Sequence, residues 1–230
     1  MPVSDFLNHN FFILLYPELG GGHHLRNLIS LDRSFFPLGA RSHDTLYQGL
    51  KDWYEDPTSI HTHAFPVVDT NFGHDLVDQE TFYAHLDNID YTEYKNSVHP
   101  CHAHNVYLGD LSILKNKPML ILTFKDPVSY NIINERANLR YGHHLLAQSS
   151  RSDTITEHSA YSFEKFIYSR EAAVKYLRIN DRQIFEVEIK DFYKQDICSI
   201  IDNINNFFNL NIPLDQAQEL HNLWKKMLWR

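Results

Sequence analysis

The sequence predicts an α/β fold: a three-layer α/β/α domain with a mainly parallel sheet. Three observations predict it. Two continuous apolar runs, Phe11 to Tyr16 (FFILLY) and Pro118 to Phe124 (PMLILTF), have the composition of strands buried on both faces. Each is followed by turn residues and then by apolar positions at helical spacing. A further run, Ile184 to Ile189 (IFEVEI), alternates as a strand with one wetter face does. Strands alternating with helices imply a sheet clothed by helices on both faces.

The elements follow in order. Pro17 to Gly22 (PELGGG) ends the first strand, and Leu25, Leu28 and Ile29 then recur at helical spacing. A helix is therefore expected from near His23. Thr45 to Trp53 (TLYQGLKDW) reads as a helix ended by Asp56-Pro57. Residues 61–77 have a weak pattern, a helix is expected over 79–86, and 87–105 read as polar and irregular. A short helix is expected around Val106 to Leu114. After the second strand, Asp126 suits an N-cap and Pro127 the first helical position. That helix would turn Ile132, Ile133 and Ala137 inward. Residues 149–157 read as a loop and Ser162 to Leu177 as an amphipathic helix. Near the carboxyl terminus, Ile197, Ile200, Ile201, Ile204, Phe207 and Phe208 form one apolar helical face. Leu214, Ala217, Leu220, Trp224 and Leu228 mark a last helix beginning near Pro213. With no internal repeat, 1–230 reads as a single domain.

Composition narrows the function classes. Hydrophobic residues make up 43% and charged residues 22%, which argues against global disorder. There are 21 Lys+Arg against 29 Asp+Glu, a formal net charge of −8, which argues against broad nucleic-acid binding. Cys101 and Cys198 do not make a disulfide framework. The longest apolar runs are too short to span a bilayer, and MPVSDFLNHNFF lacks the basic and apolar regions of a secretory signal. A cytoplasmic protein without a transmembrane segment is the expectation.

In parallel sheets, ligands bind beyond the carboxyl ends of the strands. That directs attention to Pro17–His24 and Lys125–Tyr130. Glycines between a strand and a helix let backbone N–H groups approach an anion, and the helix amino end adds partial positive charge. A tight connection without a ligand uses the same residues. The turn matches neither GxxxxGK[ST] nor GxGxxG, which disfavours a nucleotide triphosphatase or a Rossmann dehydrogenase.

These residues resemble the P-loop sulfotransferase-like family. Tyr16 to Gly22 after a buried strand is similar to the family's 5′-phosphosulfate loop, where a Tyr-Pro pair leads into Lys-Ser-Gly. Leu120 to Asn134 (LILTFKDPVSYNIIN) is similar to its 3′-phosphate motif, a strand followed by Arg, Asp or Asn, Pro and a helix bearing Ser. Ile184 to Phe192, with helices over 195–208 and 213–226 around Phe207-Phe208-Asn209-Leu210, looks like its carboxyl-terminal stretch. The three matches fall in the family's order.

The resemblance implies a divergent member and chemistry of one kind: transfer of a sulfuryl group from 3′-phosphoadenosine 5′-phosphosulfate to a hydroxyl or amine of a small-molecule or glycan acceptor. It implies that Gly20, Gly21, Gly22, His23 and His24 hold the transferring group. Lys125 and Ser129 would hold the 3′-phosphate, with Asn134 as the other candidate hydrogen-bonding group and Arg140 as a candidate cation. The departures are specific. Glu18 or Leu19 stands where the family has its loop lysine. Lys125 replaces the arginine, keeping a point charge and losing a bidentate fork. The family's serine falls on Ile133. A non-catalytic nucleotide- or anion-binding domain of the same fold is the alternative.

The family's general base is a histidine, because imidazole accepts a proton near neutral pH without carrying permanent charge. Of 15 histidines, 13 lie at or before residue 144, so several compete for the role. His104 fits best by its distance from Lys125, followed by His102, with His63 in reserve by local sequence. A second alternative is a metal-dependent hydrolase built on the histidine clusters. His99, Cys101, His102 and His104 are suitable ligand types, but their spacing is cramped for a zinc site. No metal is assigned on this reading.

Overall fold

The computed structural model describes residues 10–16, 20–35, 43–56, 96–102, 118–123, 125–129, 131–133, 135–136, 183–194 and 196–228. The first apolar run forms β1 (Asn10–Tyr16) and, through the glycine turn, leads into α1 (Gly22–Ile29). Then follow α2 (His43–Glu55), β2 (Asn96–His102) and β3 (Met119–Thr123). The chain closes with β4 (Ile184–Glu188), the single turn α3 (Ile189–Phe192), α4 (Cys198–Phe208) and α5 (Leu214–Leu228). Residues 127–129, 131–133 and 135–136 are also helical.

The described strands make a four-stranded sheet in the order β2-β1-β3-β4, with every pair parallel. All carboxyl ends therefore lie at one edge. Register sets what meets there: Tyr16 pairs with His102, Leu15 with Ile121, and Thr123 with Glu188. β3 is central, and all five of its residues are buried, as its unbroken apolar sequence requires.

The core grows on the face of β1 that carries Phe12, Leu14 and Tyr16, all buried. Phe12 stacks on Phe208 of α4, with ring centroids 4.3 Å apart, and meets Phe35 edge-on at 6.0 Å. Helix α1 packs on β1, β2 and α5, and α5 also packs on α2 and α4. The α4–α5 connection turns at Asn209, which adopts the left-handed conformation with φ 54°. The Asn205 side chain closes it from both sides. Its Nδ2 donates to the Ile212 carbonyl at 3.1 Å, and its Oδ1 accepts from the Ile212 N–H at 2.9 Å.

Two expectations are corrected. The stretch over 87–105, read as irregular, contains β2. Its sequence NSVHPCH offers little apolar signal, and Pro100 lacks a ladder donor. Such a sequence suits a strand with only one neighbour, and among the described strands β2 pairs with β1 alone. The run Ile184 to Ile189 does not stay extended to its end: Ile189 already begins α3. The expected helices over 79–86, 106–114 and 162–177 and the loop over 149–157 lie outside the described residues.

Candidate functional site at the carboxyl edge of the sheet

The glycine turn is shaped by what presses on it. Gly21 has φ +88°, the left-handed region that glycine enters without steric cost, and it is the N-cap of α1. A Cβ there would lie 2.8 Å from Phe192 and 3.2 Å from Trp224. A Cβ on Gly22 would fall inside contact distance of the Tyr16 ring. Gly20 and Gly22 are buried. Close aromatic packing therefore requires Gly21 and Gly22, with or without an anion.

The two histidines after the turn go separate ways. His23 is exposed, and its Nε2 lies 3.4 Å from the Tyr16 hydroxyl. His24 is buried, stacked on Trp224 at 4.2 Å with an interplanar angle of 11°. Its Nδ1 lies 2.7 Å from the Tyr54 hydroxyl, and its Nε2 lies 3.2 Å from His221 Nδ1. His221 Nε2 lies 2.9 Å from the Lys194 carbonyl, which can only accept, so this nitrogen carries the hydrogen. Neutral His221 must then accept at Nδ1, and neutral His24 must donate from Nε2. Tyr54 donates to His24 Nδ1 and accepts from Asn27 Nδ2 at 3.1 Å. The chain Asn27–Tyr54–His24–His221–Lys194 has one direction, with both rings in the Nε2–H form.

Both rings are held neutral. Burial above all, then His221 and Arg136, keeps His24 well below the ordinary imidazole range. Burial lowers His221 to about 4 against the pull of its bond to the Lys194 carbonyl. The His24 ring is thus a neutral tie between α1, α2 and α5, rather than a cation at the mouth of the turn.

The neighbouring edge has the opposite character. Asp126 caps the segment beginning at Pro127: its Oδ1 accepts the Val128 N–H at 2.8 Å. Lys190 pairs with Asp126 and holds that carboxyl below its usual range. Lys125 is exposed and pairs with Glu186. Glu188 joins the ends of β3 and β4, accepting from the Thr123 hydroxyl at 2.6 Å and from the Asp126 N–H at 3.0 Å. Ser129 is wholly buried, and its Oγ accepts the Lys190 N–H at 2.8 Å at the amino end of α3. Arg136 donates to the Tyr193 hydroxyl and lies over the Tyr193 and Trp224 rings at 5.7 and 6.0 Å.

Of the sequence-selected residues, Gly20 to His24, Lys125 and Ser129 are described, and all lie near the carboxyl edge. The backbone of His102 ends β2 beside Tyr16. His63, His104 and Arg140 lie outside the described residues. Sequence reasoning missed His221, Tyr54, Glu186 and Lys190. His221 stands on the buried side of α5 with Ala217, Leu220 and Trp224, a helical spacing that could have marked it as a core histidine.

Among the described residues, no group of three His, Cys, Asp or Glu could hold a metal ion, and no helix is long and apolar enough to cross a membrane. The chain matches no protein-family model, no curated protein and no solved structure.

Proposed function

We propose that this chain is a sulfotransferase-like protein that takes a 3′-phosphoadenosine nucleotide at the carboxyl edge of its sheet. The supporting observation is convergence. The glycine turn after β1, the Lys125–Ser129 segment after β3 and the end of β2 at His102 share one edge of a parallel sheet. The proposal retains the three-layer α/β/α fold over 1–230.

On this reading, backbone N–H groups of Gly20–His24 hold the transferring group and stabilise charge as it develops. Lys125 and Lys190 supply cations beside them, each exchanging its present carboxylate partner for a phosphate oxygen. The nucleotide supplies the sulfuryl group: an acceptor oxygen or nitrogen bonds to sulfur as the bond from sulfur to the phosphate oxygen breaks. His102 or His104 takes the acceptor's proton.

A second reading is a nucleotide- or anion-binding domain without catalysis. It is favoured by the engagement of Ser129 with the Lys190 N–H and by Glu18 or Leu19 in place of the loop lysine. Thermal denaturation with millimolar 3′-phosphoadenosine 5′-phosphate tests both readings, and a rise in Tm is expected. No rise counts against both. A rise without turnover of the phosphosulfate on hydroxyl and amine acceptors selects the second.

A further inference from the structure

We propose that the His24–His221 pair is an acid-sensitive latch that seats the glycine turn and α1 on α2 and α5. The geometry allows one neutral arrangement. His24 Nε2 donates to His221 Nδ1 across 3.2 Å, and the remaining nitrogens are taken by Tyr54 and the Lys194 carbonyl. An added proton has no ready acceptor. On His221 Nδ1 it faces the His24 Nε2–H. His24 can accept it only by moving its own hydrogen to Nδ1, where Tyr54 now donates. Tyr54 must then turn its hydrogen away, leaving a buried hydroxyl that accepts from both His24 and Asn27.

The groups facing the pair do not ease the charge. α2 presents the Tyr54 hydroxyl and α5 presents Trp224, while the turn after α3 presents the Lys194 carbonyl. Phe192 lies against both histidine rings. Arg136, from the segment after β3, opposes protonation of His24, and Lys225 opposes protonation of His221. Arg26, on α1 itself, is a further cation near Tyr54.

The latch opens locally because α2 and α5 have a second tie. Glu219 of α5 accepts from Lys51 at 2.6 Å and also from Tyr47. Those two bonds hold its carboxyl below its usual range, which favours its charged form in weak acid. Two protons enter on opening, since an exposed histidine titrates near about 6.5. The latch acts on the turn whether or not an anion binds there.

Native-state hydrogen exchange on the full chain, corrected for intrinsic rates, tests the latch. Between about pH 6 and 4.5, the open fraction reported by α1 amides should rise roughly a hundredfold per pH unit, tenfold for each proton. Amides of β3 should lose protection with a similar slope, because global unfolding takes up the same two protons, but they should stay better protected than α1 at every pH. Equal opening free energies for α1 and β3 would mean that only global unfolding frees the pair, and would overturn the proposal. Imidazole nitrogen shifts at neutral pH give a second test in the unaltered protein. Both rings should be in the Nε2–H form, and the Nδ1–H form in either overturns the latch. In the variant His221→Asn, one titrating group is gone, so the α1 dependence should flatten to about tenfold per pH unit. An unchanged hundredfold dependence overturns it.

Discussion

The two halves of the carboxyl edge are built from opposite materials. Around the glycine turn, Tyr16, Phe192, Trp224 and a pair of neutral histidines fill the space, and Gly21 and Gly22 survive because a side chain there would collide with rings. Around β3 and β4, Lys125, Lys190, Asp126 and Glu186 stand in ion pairs within reach of water. The same sheet edge thus carries a packed half built on aromatic rings and neutral histidines and a wet half built on ion pairs. The difference teaches which half can trade partners. Exposed ion pairs are weak, and their cations can pass to a phosphate, whereas a fully satisfied buried network loses by any change.

The comparison breaks first at Gly22. Gly22→Ala should destabilise the protein by about 3 kcal/mol, the upper range for overpacking, because the new methyl meets the Tyr16 ring. Urea denaturation checks this, and a midpoint within error of the parent would mean the packed half is loose. Acid probes the same half. A histidine with a depressed folded pKa binds its proton more readily in the unfolded chain, so stability is full above about pH 6.5 and falls below it. Each of His24 and His221 should contribute a slope of roughly 1.4 kcal/mol per pH unit below that point, the His221 contribution continuing down to about pH 4. Urea midpoints taken at successive pH values would show a flat acid limb if neither ring were held neutral. On the charged half the smallest stability effect is expected. Lys125→Ala should leave Tm nearly unchanged yet reduce the shift produced by 3′-phosphoadenosine 5′-phosphate. If the ligand shift is unaltered, the charged half is not where the phosphate sits.

The strands that carry the edge were legible where burial is two-sided. FFILLY and PMLILTF announce β1 and β3 because an unbroken apolar run suits an interior parallel strand, and β3 is buried on both faces. The two carboxyl-terminal helices were equally plain, since α4 and α5 each turn one apolar face to the core. β2 was not legible. Its sequence NSVHPCH offers little apolar pattern, and hydrogen bonding to β1 makes it a strand. At the site, the turn's glycines and the Asp126-Pro127 cap were readable from local chemistry. The fate of Ser129 was not, because its partner, the Lys190 N–H, lies 61 residues further along the chain.

The sequence by itself determined the alternation of buried strands and helices, the need for glycine after Tyr16, and the acidic balance of 21 basic against 29 acidic residues. Each of these depends on residue type and short-range spacing. Only the tertiary structure decided what the histidines do. His23 and His24 are neighbours in sequence, yet one faces water and the other is locked to His221, 197 residues away. The physical reason is that an imidazole's charge and tautomer are set by what surrounds each of its two nitrogens. Those surroundings come from helices brought together by folding.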